Sequence, residues 1–255
     1  MLVKQTLTMD FITGQTIFID KPYGWTSFDA VKKVRSILTS RYGLRKLKVG
    51  HAGTLDPLAT GVMIICTGKA TKQIEALQAG VKEYIAIIAL GATTPSFDLE
   101  TEIDATYPTH HITAGMVRDV LRRFVGSIQQ IPPGYSAVKI DGRRAYKLAR
   151  QGKEVELTPK TLVIDNIELL DYKDNDGGKE ITIAVRCSKG TYIRALARDI
   201  GTALDSGAHL TALRRVCVGD IGIEQCMNIE EAARWLNTVP VEFPPDYDKT
   251  AIRKQ

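Results

Sequence analysis

"TLVIDNIELLDYKDNDGGKEITIAVRCS", Thr161–Ser188, is the stretch that decides the fold. Two runs rich in Ile, Val and Leu flank "KDNDGG", and Asn, Asp and Gly between apolar runs are the residues that tight turns demand. The stretch therefore predicts a β-hairpin, two antiparallel strands joined by their own turn. Just upstream, a helix starts near Thr113, carries Met116, Val117, Val120, Leu121 and Phe124 on one face and is expected to stop at Gly126. Before it, "KEYIAIIALGA" (Lys82–Ala92), rich in isoleucine and flanked by glycines, predicts a central strand.

Downstream of the hairpin, "KGTYIRALARDIGTAL" turns into a helix. Ile193, Leu196, Ala197 and Ile200 recur at helical spacing, while Arg194 and Arg198 share another face. "HLTALRRVCVGDIGI" predicts a further strand, and Asn228 with Glu231 a helix N-cap for "EEAARWL". Nearer the N-terminus, "TIFID" (Thr16–Asp20) predicts a buried strand and "KPYGW" a turn. A helix follows, capped at Thr26 or Ser27, with Asp29 in its first turn and Val31, Val34, Ile37 and Leu38 as its apolar stripe before Gly43. "GVMIICTG" then predicts a strand and "ATKQIEALQAG" a short helix ending at Gly80. Strands and helices mix without regular βαβ alternation, so the expected class is α+β, with a mixed, largely antiparallel sheet flanked by helices.

The chain has 255 residues, 44% hydrophobic and 25% charged, the composition of a globular protein with one sizeable core. No run approaches the ~18 apolar residues a membrane span needs, and the N-terminus lacks the apolar run of a signal peptide, so a cytoplasmic protein with no membrane partner is expected. The cysteines Cys66, Cys187, Cys217 and Cys226 form no CxxC pair and predict free thiols. A net charge of +5 makes an anionic partner plausible. Positive charge gathers in "RYGLRKLK" (Arg41–Lys48), "KIDGRRAYKLAR" (Lys139–Arg150) and "HLTALRR" (His209–Arg215). The segment Gln130–Leu157 opens on Ile-Pro-Pro-Gly, carries an Asp-Gly turn and is basic, which predicts a mobile insertion rather than core.

"VGHAGTLDPLATG" (Val49–Gly61) is the candidate site. Asp56 precedes Pro57, which pushes it toward extended geometry and restricts its side chain. Gly50, Gly53 and Gly61 permit sharp turns or close approach to a ligand, and Ala52, Ala59 and Thr60 keep the loop narrow. Asp-Pro is also an ordinary turn initiator, so the loop alone leaves both uses open. His51 without Cys or a second His makes a poor metal site. Walker, Rossmann and nucleophile-elbow motifs are all missing, so any catalysis here is expected to work without a metal or nucleotide cofactor.

Several separated segments together resemble the bacterial tRNA pseudouridine-55 synthases of the TruB type. "DKPYGWTSFDAVKKVR" resembles that family's Lys-Pro motif, "GHAGTLDPLATGVMIICTGKATK" its catalytic motif and "KEYIAIIALGATTPSFDLE" its tyrosine motif. "IPPGYSAVKIDGRRAYKLARQG" is similar to its RNA-clamping insertion, and "CSKGTYIRALARDIG" with "GAHLTALRR" to its two late motifs. The ordered set, Gly14 to Met227, is far more specific than any one loop.

The resemblance implies a pseudouridine synthase fold that flips a uridine out of the tRNA T-arm stem-loop, detaches its base at N1 and rejoins it through C5, with no cofactor and no metal. It puts the family's indispensable aspartate on Asp56, as a base at ribose C2′ or a nucleophile. Arg194 matches the arginine paired with that aspartate, and Tyr84 the tyrosine that stacks on the base. Tyr192 and Leu213 match further pocket residues, which ordinary packing would also explain. His51 matches a histidine that inserts into the T-loop. Lys21 and Pro22 are expected to shape the pocket floor, and Lys72, Lys139, Arg143, Arg144, Lys147 and Arg150 to contact phosphates.

The resemblance also implies a monomer, with residues 1–238 as the catalytic domain and 130–157 as the clamping insertion; in a departure from longer family members, 239–255 is expected to be a short tail without a C-terminal PUA-like domain. Affinity for an isolated T-arm is then expected to approach that for whole tRNA. Pro95 and Phe97 depart from the more polar residues usual in the family, while Asp98 matches. A tRNA-folding chaperone acting on the T-arm without catalysis is the competing expectation, and Asp56 discriminates the two.

Overall fold

The computed structural model describes residues 8–136, 138–140, 143–145, 148, 151, 157–175 and 178–245, with the side chains of 139, 140, 143, 144 and 175 outside that description. The chain forms two units, one from residues 1–80 and 215–255, the other from 81–214.

In the first unit β1 (Thr16–Lys21) runs antiparallel to β3 (Ala59–Thr67), in a register from Thr16 opposite Cys66 to Lys21 opposite Gly61. The short β2 (Val49–His51) pairs with the far end of β3. β3 is buried on both faces, which explains why "GVMIICT" is a continuous apolar run instead of an alternating one. Its Met63 and Ile65 pack with β1 and two helices, α1 (Ser27–Tyr42) and α5 (Ile229–Thr238); Val62, Ile64 and Cys66 pack with Ala52 and Val218. Both helices start on capping boxes, Thr26 with Asp29 and Asn228 with Glu231, as their sequences predict. A six-residue 3₁₀ turn (Gly68–Gln73) and α2 (Ile74–Ala79) follow β3.

In the second unit β4 (Lys82–Leu90), β11 (Gly178–Cys187), β10 (Lys160–Asn175) and β7 (Gly126–Gln130) form an antiparallel series in that spatial order. The hairpin predicted from Thr161–Ser188 is the β10–β11 pair. β4 alternates buried and half-buried residues along its whole length. The helices α3 (Ala114–Arg123) and α4 (Ile193–Ala203) pack on these strands. Small ladders add β5 (Ala92–Thr93) with β6 (Ala105–Thr106) and β8 (Lys139–Ile140) with β9 (Arg143–Arg144). The α+β class and the largely antiparallel sheet are thus as expected.

Three local expectations shift. Helix α3 ends at Arg123, and Gly126 opens β7 with φ +101°. Gln130, expected to begin the insertion, is instead the buried last residue of β7. The stretch after His209 is a hairpin: β12 (Ala208–Val218) turns at Gly219 into β13 (Ile221–Gly222). Among the described residues no helix is long and apolar enough to cross a membrane.

Candidate active site

The loop that carries Asp56 hangs between β2 and β3, and its two neighbours are fixed independently. On one side, the Ser27 hydroxyl at the start of α1 accepts from the Leu55 amide (2.8 Å) and donates to the Leu55 carbonyl (3.0 Å). On the other, the Pro57 carbonyl accepts from the Gly24 amide (2.9 Å) and from Lys21 Nζ (3.3 Å). The Asp56 carbonyl closes a turn by accepting from the Ala59 amide (3.1 Å). A carboxylate whose flanking peptides are both tied, and whose own backbone is restricted by the following proline, is preorganised. Asp56 itself is half-buried.

Lys21 ends β1 and points inward, with no exposed surface. Its ammonium donates to the carbonyls of Pro22 (2.9 Å), Trp25 (2.6 Å) and Pro57, so it staples the "KPYGW" turn to the Asp56 loop. Burial pushes its pKa down to about 8, Asp56 acts in the opposite direction, and Arg215 adds to the lowering. At pH 7 Lys21 is therefore a buried cation within electrostatic reach of Asp56. Pro22, expected on the pocket floor, contributes a carbonyl to this staple.

Arg215 was not singled out by sequence, where it reads as the end of the basic run "HLTALRR". It is 2% exposed. Its guanidinium donates to the carbonyls of Val62 (2.8 Å), Gly53 (3.1 Å) and Thr54 (3.5 Å), bracing the Asp56 loop from within. Gly61 lets it in: at φ +106°, a Cβ there would stand 2.1 Å from the Arg215 carbonyl oxygen. The signal available in sequence was the pairing of a glycine-rich loop with a distant arginine, which no local pattern connects.

His51 ends β2 and is half-buried. Burial and the Arg215 charge hold its imidazole below the usual value, against a backbone contact to Gly53, so the ring is neutral at pH 7. A neutral ring at the mouth of the loop suits stacking better than ionic contact. Lys72 is exposed on the 3₁₀ turn. The first unit thus gathers Lys21, Pro22, His51 and Asp56 on one loop system, with Ser27 and Arg215 as its unforeseen supports.

In the second unit, Arg194 lies in the first turn of α4 yet is 4% exposed, so the polar face expected of this helix is buried where the helix begins. It donates to the carbonyls of Ser96 (3.1 Å) and Tyr135 (3.0 Å), and its Nε lies 3.6 Å from the Asp98 carboxylate. Asp98 in turn accepts from the Glu100 amide (2.9 Å). Phe97, one of the departures from the family pattern, takes φ +63° and lies under the Arg198 guanidinium, 4.9 Å from its ring centroid. Tyr84 is buried on β4 opposite Val185. Tyr192 precedes α4, and Gln130 binds both its amide (2.9 Å) and its carbonyl (3.2 Å). Leu213 is half-buried on β12. The side chains of Lys139, Arg143 and Arg144, and all of Lys147 and Arg150, lie outside the described residues. No cluster of three or more His, Cys, Asp or Glu suited to a metal occurs among the described residues.

Comparison with known proteins fits this geometry. The profile described as the TruB family pseudouridylate synthase N-terminal domain matches residues 40–193, and that of the tRNA pseudouridylate synthase B C-terminal domain matches 194–239. The tRNA pseudouridine synthase B of Phocaeicola vulgatus is 61% identical over 234 residues, covering 92% of this chain and 98% of that protein. The protein of that name from Bacteroides fragilis is 62% identical over 235 residues, covering 92% and 99%. One from Mycobacterium bovis is 45% identical over 217 residues, covering 85% and 71%.

Among solved structures, a Cbf5-Nop10-Gar1 complex holds a chain with TM-score 0.65 and 29% identity, covering 88% of this chain and 55% of that one. An H/ACA RNP bound to a substrate RNA containing 2′-deoxyuridine holds another, with TM-score 0.62, 28% identity and coverage of 88% and 54%. The likenesses define the class, the pseudouridylate synthases. Within it, the chain belongs to the TruB family.

Proposed function

We propose that this chain isomerises uridine to pseudouridine at position 55 in the T-loop of tRNA, with Asp56 as the reacting carboxylate. It is an RNA-modifying isomerase by family, and relatives of about 60% identity along nearly their whole length carry the name tRNA pseudouridine synthase B. The observation that carries the assignment is the clamp on both neighbours of Asp56, Ser27 on Leu55 and Lys21 with Gly24 on Pro57. A chaperone that only opened and re-formed the T-arm would need no carboxylate held in one geometry, so the catalytic reading is preferred.

The chemistry balances without a cofactor. Asp56 removes the proton from ribose C2′, the N1–C1′ bond breaks with its electron pair leaving on the uracil, and a C1′–C2′ double bond remains. The base turns, C5 attacks C1′ and C2′ recovers a proton from Asp56. The proton on C5 then departs and N1 takes one up. Nothing is gained or lost, as an isomerisation requires.

Reaching the base means extruding it, at a cost of a few kcal/mol of lost stacking. Tyr84 is assigned to the extruded uracil, where base-aromatic stacking returns on the order of 1–3 kcal/mol. His51 is assigned to the vacated space in the loop, and Lys72 with the cations of residues 139–150 to phosphates. The T-arm alone serves as substrate, and the enzyme works as a monomer in the cytoplasm. Asp56→Asn tests the proposal: nucleoside chromatography of a digested T-arm hairpin should show pseudouridine with the parent and a rate at least about a thousandfold lower with the variant. Equal rates would remove Asp56 from the chemistry.

A further inference from the structure

Beside the Asp56 loop the first unit carries a groove of about 630 Å³ that no part of the proposed reaction uses. One wall is a stripe of α1, Lys32, Arg35, Ser36 and Thr39, whose spacing of three, one and three residues puts them on a single helical face. The other wall is residues 45–50, with Arg45, Lys46 and Lys48 exposed and Leu47 and Val49 buried beneath them. Five cations line it and no Asp or Glu does. Arg35 spends one donor on the Val49 carbonyl (2.8 Å), which fixes its guanidinium in the wall. Among the described residues no ion pair engages any of the five; Asp29, within Coulombic reach of Lys32, is committed to the N-cap of α1.

Such a concentration of like charge repels itself unless an anion fills it. The groove also leads somewhere. Val49 and Gly50 line it, His51 follows directly, and Asp56 is six residues beyond Gly50. An RNA strand whose loop nucleotides meet His51 can continue past Gly50 into this groove.

We propose that the groove formed by α1 and residues 45–50 binds two or three consecutive phosphates of the RNA strand flanking the target loop. This site is separate from the insertion at 130–157, and it rests on the reading of the chain as an RNA-modifying enzyme. Arginine and lysine supply the sequence-independent contacts that position a backbone. The groove therefore sets register and affinity, and leaves choice of base to the Asp56 loop.

The test is the salt dependence of hairpin binding by the parent and by the combined variant Arg45→Gln, Lys46→Gln, Lys48→Gln. Each lost phosphate contact removes about 0.7–0.9 from the slope of log K against log salt, so the slope should fall by about 2. Between 50 and 200 mM salt, parent affinity should then drop about sixteenfold more than variant affinity. The charge-preserving set Arg45→Lys, Lys46→Arg, Lys48→Arg should keep the parent slope, which a merely structural role for these residues would not ensure. Equal slopes for the parent and the glutamine variant overturn the groove. Pseudouridine formation by the parent on the same hairpin is measured alongside: a parent that makes none fails the proposed function, while a parent that makes it with slopes unchanged fails the groove alone.

Discussion

At the scale of single residues, the site depends on a few buried cations that hold backbone carbonyls. Arg215→Leu removes donors from Gly53, Thr54 and Val62 together and should cost about 2–4 kcal/mol by urea unfolding, while kcat falls more than KM rises. Arg215→Lys keeps the charge but puts a compact ammonium on a shorter side chain where a wide planar fork spans separated carbonyls, and should recover only part of either loss. Lys21 gives a pH signature. Its folded pKa of about 8 lies below the unfolded value near 10.5, so between those limits the unfolded state binds more protons. The cost of burying its charge is full below pH 8 and fades as pH rises toward 10.5. A Lys21→Met variant, measured by unfolding at pH 7 and pH 10, should therefore lose ground to the parent at the higher pH; a pH-independent difference would contradict the buried-cation assignment. Asp56 was singled out through the family resemblance, since its proline and small neighbours alone fit an ordinary turn as well. Arg215 and Ser27 were not, because each acts on the loop from another part of the chain.

At the scale of elements, the start of α1 does two jobs. Thr26 and Asp29 cap the helix, and the intervening Ser27 turns inward to hold Leu55. The two functions separate by mutation. Thr26→Ala should cost about 1 kcal/mol of stability and leave loop geometry alone, whereas Ser27→Ala strands the Leu55 amide and should lower kcat, measured by single-turnover product formation on a saturating hairpin. Helix caps, the β10–β11 hairpin and the apolar stripes were readable because each is a local pattern with a fixed period. The C-terminal end of α3 and the start of the 130–157 segment were misplaced for the opposite reason. Gly126 looked like a stop, but it opens the strand "GSIQQ", which has no apolar alternation and is defined by its partner β10. At the start of α4 the helical spacing gave only that Arg194 and Arg198 share a face, and the role expected of Arg194 came from the family resemblance; its contacts to Asp98 and two carbonyls join segments far apart in the chain.

At the scale of the whole molecule, the first unit is assembled from both ends of the chain. Residues 215–218 deliver Arg215 to the loop, and α5 closes the core over α1, so the C-terminal segment belongs to the site although it carries no reacting group. Leu236, fully buried in α5, tests this: Leu236→Ala should cost about 2–5 kcal/mol and lower the denaturant midpoint, with a matching loss of activity at temperatures where the parent is intact. This discontinuous assembly was invisible in a pass along the sequence, since no linker or composition shift marks where the chain leaves the first unit or returns to it. The ordered run of family motifs did tie distant segments to one family.

The most direct test of the account uses a T-arm hairpin with tritium at uridine C5, incubated with the parent and with Asp56→Ala, no nucleotide or metal being added. Replacement of the C5 proton by the C5–C1′ bond releases tritium to water, so the account predicts release by the parent and none by the variant, with hairpin binding retained by both. Tight binding by both with no release from either, or equal release from both, would contradict it.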